Sequence, residues 1–244
     1  MTYCVAIKLD AGVVLLSDTR TNAGLDNISR YGKMFTWEVP GERAIALLTA
    51  GNLSITQGLI TRLEKRIEQC EIEPDTETIL NCNSVFRVAQ IVGEIMREVQ
   101  ERHREGMEMQ GSAFDASVLV AGQRKGGSLR LFLVYSAGNF IEATPDTPFL
   151  QLGEHKYGKP ILDRVITSQT PIGKAKLAAC VSMDSTLRSN LSVGMPLDLA
   201  IIETDSLAVS ERRRIEPDDQ DFNQLSEAWS KALNSAFHDL PHLF

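Results

Sequence analysis

The chain has 244 residues and a mass of 27.0 kDa, with 43% apolar and 23% charged residues. This composition excludes a disordered protein, and the length is enough to bury a core without disulfides or a metal. A net charge of −7 and a pI near 5.2 exclude binding to nucleic acid through a bulk basic face.

Tyr3–Leu9 alternates around β-branched and aromatic residues, Asp10-Ala11-Gly12 is a turn, and Val13–Ser17 is a second apolar run, so the chain opens on a β-hairpin. Lys33–Val39 and Arg43–Thr49 repeat the pattern across Pro40-Gly41, which predicts a four-strand antiparallel run in the first fifty residues. The period then changes. From Asn52 to Cys70 the residues Leu53, Ile55, Leu59, Ile60, Leu63 and Ile67 recur at helical spacing, and Val85, Val88, Ile91, Val92, Ile95, Met96 and Val99 do the same, with Asn81, Asn83 or Ser84 as its cap. Phe114–Gly122 and Leu129–Tyr135 return to strand character around Lys125-Gly126-Gly127, Phe140–Ala143 adds a short strand, and these predict a second sheet after the helices. Tyr157–Ile166 and Ile172–Leu187 read as helices, Leu197–Glu203 as a strand, and Asp221–Phe237 as a last helix. The order fits an α+β fold, a four-layer αββα sandwich of two antiparallel sheets flanked by helices, over residues 1–244 as one domain; periodicity alone does not separate this from a generic α+β domain.

The basic cluster Arg212–Arg214 is followed by Glu216, Asp218 and Asp219 and reads as a solvated, self-neutralising segment. Cys4, Cys70, Cys82 and Cys180 are scattered with no CxxC pair, and His103, His155, His238 and His242 do not cluster with them, so reduced thiols, no metal and no cofactor are expected. No apolar stretch approaches the roughly 18 residues of a membrane span, and MTYCVAIKLD lacks the layout of a signal peptide, which predicts a cytoplasmic protein with no membrane partner.

Thr2 follows Met1, and removal of the methionine would leave threonine with a free α-amine. Such a residue carries its own base: the hydroxyl attacks an acyl carbon and the amine, which ordinarily titrates at about 7.7–8.0, accepts the proton. A Met-Thr start with no catalytic role is the alternative. Ser17-Asp18-Thr19-Arg20 ends the second strand and Lys33 starts the third, so a carboxylate and an ammonium fall near the first strand, either as an activating pair or as an ordinary strand-end ion pair. Thr49-Ala50-Gly51-Asn52 closes a strand and opens a helix, which offers the Gly51 N–H as an oxyanion donor, or is a turn that simply needs glycine.

Thr2, the opening hairpin, SDTR at Ser17–Arg20, Lys33, TAGN at Thr49–Asn52 and SMDSTLRSNLSVGMPLDL at Ser182–Leu199 together resemble a proteasome-type β subunit over nearly the whole chain. Within that superfamily MTYCVAIKLDAG, SDTRTNAG, GEHKYGKPIL and DSTLRSNLSVG are most similar to the bacterial Anbu family, the ancestral β subunit. The resemblance implies an N-terminal nucleophile hydrolase fold and a self-compartmentalised threonine peptidase or amidohydrolase. Thr2 would be the nucleophile, Asp18 and Lys33 its charged partners, Gly51 the oxyanion donor and Arg20 a structural neighbour. Thr21 and the loop Asn22–Ser29 would border the substrate cleft, with Thr49 near the side-chain pocket. It also implies a homo-oligomeric ring or ring-like helix acting on a peptide or amide substrate.

The chain departs from proteolytic β subunits at Gly153-Glu154, where a serine is usual, and at Ser189 before Ser192, where an aspartate is usual. Asp18 and Lys33 also stand one residue closer together than in those subunits. Glu154, Asp184 or Ser189 would then hold the Thr2 amine, and efficient protein hydrolysis is less expected than the underlying chemistry. An amidase for short amides and a non-catalytic ring subunit are the rival readings. The chain has no GxxxxGK[ST] motif, so any unfoldase is a separate chain, and the sequence identifies no ATPase partner.

Overall fold

The computed structural model describes residues 2–22, 28–109 and 115–241. Its first strands, β1 (Tyr3–Leu9) and β2 (Gly12–Asp18), form the expected hairpin, with Cys4 opposite Ser17 and Leu9 opposite Gly12. A small hairpin of β3 (Arg20–Asn22) and β4 (Ile28–Arg30) follows, then β5 (Met34–Val39), β6 (Arg43–Gly51), α1 (Leu53–Ile72) and α2 (Val85–Met109). The rest of the chain is β7 (Ala116–Arg124), β8 (Arg130–Val134), β9 (Phe140–Glu142), β10 (Phe149–Gly153), α3 (Lys159–Val165), α4 (Ile172–Ser189), β11 (Leu197–Glu203), β12 (Val209–Ile215) and α5 (Gln220–His238).

The helix ends follow from their caps. Asn52 Oδ1 accepts the N–H groups of Ser54 and Ile55 at the start of α1, Ser84 Oγ accepts that of Arg87 in α2, and Asp219 Oδ1 accepts that of Phe222 in α5. Of the three candidate caps for the second helix, Ser84 is the one used.

Two five-stranded antiparallel sheets, ordered β10-β1-β2-β11-β12 and β5-β6-β7-β8-β9, lie face to face between helices, which is the αββα sandwich expected. The division of strands between them differs from the sequence reading. β1 and β2 belong to one sheet, while β5 and β6 cross to the other, so the first fifty residues are not one four-strand run. Nor do β7 to β9 found a new sheet: β7 pairs with β6 from Arg43 opposite Arg124 to Gly51 opposite Ala116, and closes the sheet that β5 and β6 began. Alternation identifies a strand and its buried face, but backbone hydrogen bonds are the same whichever strand supplies them.

Side-chain parity builds three cores. Tyr3, Val5 and Ile7 of β1 with Val14 and Leu16 of β2 face Leu162, Ala179 and Met183 on α3 and α4. Ile45 and Leu47 of β6 with Val118 and Val120 of β7 face Leu59, Val88 and Val92 on α1 and α2. Between the sheets, alanines such as Ala6, Ala44, Ala46 and Ala121 interdigitate with larger residues such as Leu15, Leu48, Leu119, Leu131 and Leu152, so that small and large side chains fill the layer together.

Four strands were not legible in the sequence: β3, β4, β10 and β12. β12 contains Arg212–Arg214, so the solvated segment is also an edge strand, which the sequence did not show because alternation there does not separate apolar from polar residues. The neutralisation itself is present: Arg213 Nη2 lies 2.7 Å from Asp219 and 3.0 Å from Asp221, Arg212 3.6 Å from Glu38, and Arg214 3.7 Å from Asp198 and 3.6 Å from Glu216. The predicted strand start at Phe114 lies outside the described residues. Among the described residues no helix is long and apolar enough to cross a membrane.

Candidate active site

β1, β2, β6 and the turn into β5 end at the same corner of the sandwich, where a cleft of about 500 Å³ is lined by Thr2, Thr21, Lys33, Thr49, Gly51 and Gly153 among others. Thr2 precedes β1 and is almost fully buried. Its carbonyl accepts the Glu154 N–H at 2.8 Å, just beyond the pairing of Tyr3 with Gly153. Gly153 has φ +75°, and a Cβ there would stand 1.8 Å from the Thr2 carbonyl oxygen, so only glycine lets β10 approach the start of β1 this closely.

Asp18 ends β2 and is fully buried. Its Oδ1 accepts the Lys33 ammonium at 2.6 Å and the Tyr3 N–H at 3.1 Å, and its Oδ2 accepts the N–H groups of Arg20 and Gly194 at 3.2 Å each. Burial pushes the Asp18 carboxyl above its ordinary value, and the Lys33 ammonium together with the Tyr3 and Gly194 N–H groups pulls the other way. The Tyr3 bond ties the carboxylate to the residue that follows Thr2. Tyr3 itself is locked in the core, its hydroxyl 2.6 Å from Ser182 Oγ and accepting from Gln151 Nε2 at 2.6 Å, and burial raises its pKa to about 12.

Lys33 is buried beside the cleft, and its second hydrogen bond goes to the Arg20 carbonyl at 2.7 Å. Among the described residues its remaining N–H has no partner, and the side chain borders the cleft with Thr2. Thr49 holds the backbone here: its N–H donates to the Lys33 carbonyl at 2.9 Å. Cys4 lies behind it, its thiol pushed up by burial and directed at the Thr49 carbonyl at 3.8 Å, so it stays a neutral thiol rather than a competing nucleophile.

Gly51 is the last residue of β6, not the first of a helix. The helix N-terminus is capped by Asn52, whose side chain takes the Ser54 and Ile55 amides. Strand parity decides where the Gly51 N–H goes: Asn52 donates to Asp115 on the β7 side and Thr49 to Lys33 on the β5 side, so Gly51 points to the β5 side, three residues past Leu48, the last to pair with that strand. Its φ of +104° and a hypothetical Cβ 2.1 Å from the Asp115 carbonyl explain the glycine.

The supporting residues are placed less as expected. Arg20 is a structural neighbour of Asp18 and clamps the loop after α4, its Nη1 donating to the Leu191 carbonyl at 2.8 Å. Asp184 is buried on α4 and binds Arg188 at 3.2 Å, and Ser189 is exposed at the end of α4; neither lines the cleft. The Ser192 N–H donates to the Asn190 side chain at 2.9 Å. Glu154 is buried, its Oε1 accepting the Lys156 N–H and its Oε2 the Asn190 amide, each at 3.2 Å. It does not cap α3, whose N-cap is Gly158. The sequence reading missed Asn190 and Gly194; the only signal was their place in SNLSVG. In the predicted cleft-border loop Asn22–Ser29, residues 23–27 lie outside the described ones.

No family model matches the chain, and no curated protein does. Solved structures do. Anbu (ancestral β-subunit) from Yersinia bercovieri is 44% identical over 99% of this chain and 98% of its own, with a TM-score of 0.92. Anbu from Hyphomicrobium sp. strain MC1 is 46% identical over 99% of each chain with a TM-score of 0.91. The helical assembly of the Anbu complex from Pseudomonas aeruginosa is 47% identical over 98% of this chain and 97% of its own, with a TM-score of 0.92. Identity of this size over the full length of both chains, on the same αββα sandwich, makes the chain a member of the Anbu family of proteasome-like ancestral β-subunits.

Proposed function

We propose that this chain is an N-terminal threonine hydrolase that cleaves peptide or amide bonds through an acyl-enzyme on Thr2. One observation carries the reading: a fully buried carboxylate, Asp18, holds both the Lys33 ammonium and the N–H of the residue after Thr2, at the wall of a cleft that also contains Gly51.

Cleavage of the Met1–Thr2 bond frees the α-amine. The Thr2 hydroxyl then attacks the substrate carbonyl as its proton passes to that amine, with the nearby Lys33 charge favouring the alkoxide. The carbonyl oxygen takes the negative charge and is met by the Gly51 N–H. Collapse expels the substrate amine, which leaves with the proton, and an ester remains on Thr2. Water attacks the ester, gives its proton to the α-amine, and releases the acid and the free hydroxyl. Thr21 and Thr49 border the substrate in this reading, and the Glu154 N–H keeps Thr2 in place.

The relative from Pseudomonas aeruginosa is described as a helical assembly, and on that basis copies of this chain associate in the same manner, in the cytoplasm. An apolar face on α5 supports it. The other apolar helix face, Val85–Val99, does not, because its valines, isoleucines and Met96 pack into the chain's own core.

The test is intact mass, followed by peptide mapping, after incubation with a β-lactone that acylates N-terminal threonine. One adduct on Thr2 is expected, and no adduct on Met1-free protein would overturn the reading. Digestion of an unfolded protein distinguishes a peptidase from an amidase that turns over only short amides.

A further inference from the structure

Asn190 sits one residue beyond α4, its own N–H still donating to the Thr186 carbonyl at 2.9 Å, so the last turn of the helix fixes where its side chain starts. That side chain works in two directions. Its Nδ2 donates to Glu154 Oε2 at 3.2 Å, and its Oδ1 accepts the Ser192 N–H at 2.9 Å. Beyond the first bond, the Glu154 N–H holds the Thr2 carbonyl at 2.8 Å. Beyond the second, the chain runs through residues 191–194, where the Leu191 carbonyl accepts from Arg20 at 2.8 Å and the Gly194 N–H donates to Asp18 Oδ2 at 3.2 Å.

The two supports of the candidate nucleophile thus come from parts of the chain about forty residues apart, the end of β10 and the loop after α4. One is under Thr2 itself and the other under the carboxylate that binds Tyr3. Asn190 is the side chain that bonds to both.

We propose that Asn190 is a positioning residue for the reaction at Thr2, its amide fastening Glu154 and the 191–194 loop into one frame that sets Thr2 against Asp18. The inference rests on the threonine-hydrolase reading. The chemistry explains the residue type. One face must donate to a carboxylate and the other must accept a backbone N–H, which a primary amide does from a single plane. Aspartate would present only acceptors and set a second carboxylate against Glu154, replacing a hydrogen bond with repulsion between like groups.

Charge exchange separates positioning from mere packing. Asn190→Asp removes the donor and adds the repulsion. Glu154→Gln combined with Asn190→Asp reverses the bond, with the donor now at position 154 and the acceptor at 190, while the acceptors for Lys156 and Ser192 remain. Labelling of Met1-free protein by the same β-lactone is followed by intact mass at increasing probe concentration, with amide hydrogen exchange of peptides covering 153–154 and 191–194 in parallel.

Asn190→Asp should lower the maximal labelling rate about tenfold, the worth of a hydrogen bond to a charged group, with the half-saturating concentration unchanged. The double variant should recover most of that rate. Exchange should speed up in both segments in the single variant and slow again in the double. A single variant that labels at the wild-type rate, or a double variant no faster than the single, overturns the proposal. If wild type itself takes no label on Thr2, the hydrolase reading fails, and exchange then decides the frame: unchanged exchange in Asn190→Asp overturns it, and paired loss and recovery in both segments supports it.

Discussion

The Tyr3 N–H donates to Asp18 Oδ1, the same oxygen that receives the Lys33 ammonium. The residue bonded to Thr2 and the cation beside the cleft are therefore fixed relative to each other through one atom. Tyr3 cannot drift, because its side chain is anchored in the core between Ser182 and Gln151. The corner that holds Thr2 is thus as rigid as the hydrophobic layer beneath β1.

Lys33→Met should abolish β-lactone labelling of Thr2, by about a hundredfold or more, because the charge next to the hydroxyl is lost. It also leaves Asp18 buried without its counter-ion, a loss of about 3–5 kcal/mol for a broken buried pair. A melting temperature and a labelling rate measured on the same sample check both. A variant that melts lower but labels at the wild-type rate would reassign the pair as purely structural.

Gly153→Ala meets the Thr2 carbonyl head on and needs φ +75°, which alanine adopts only with strain. Separation of β10 from the start of β1 is expected, with loss of labelling and faster exchange at Glu154. Gly126→Ala is the control: it has a similar φ of +74° but open space around the added Cβ, so it should be milder in stability and neutral for labelling.

Asp198 on β11 is partly buried, and burial pushes its carboxyl above its ordinary value while Arg214, at 3.7 Å, pulls the other way. A carboxyl that titrates higher in the fold than in the unfolded chain binds its proton more tightly when folded. Its favourable contribution is complete below the unfolded value and is lost as pH rises through the native one. Asp198→Asn should therefore raise the melting temperature at pH 7, and the gain should shrink as pH falls toward 3.8, where an unperturbed aspartate titrates. Melting curves across pH 4–8 check the sign.

Leu233 and Phe237, four residues apart on one side of the last turns of α5, are exposed by 50% and 72%, and Leu240, two residues beyond the helix, by 61%. If copies of the chain associate through this face, Phe237→Glu should reduce the mass seen by sedimentation velocity at micromolar concentration without lowering the melting temperature of the monomer. An unchanged mass would remove α5 from the interface.

Local signals in the sequence determined the opening hairpin and all five helices, four of them to within a few residues at both ends and α2 at its start, while its periodic residues stop at Val99 and the helix runs on to Met109; motif order marked Thr2, Asp18, Lys33 and Gly51 as candidates, because periodicity, caps and motifs are properties of neighbouring residues. They missed β10 and β12 because FLQLG is too short to establish a period and VSERRRI, on the sheet edge, carries polar or charged residues on both faces. Tertiary structure alone decided which sheet each strand joined, since the backbone groups that pair β6 with β7 or β2 with β11 are chemically identical across the chain. It also decided the supports of Thr2. Gly153, Gly194 and Asn190 lie from 151 to 192 residues away from it along the chain, and their roles follow from close approach and hydrogen-bond direction, which exist only once the layers are packed.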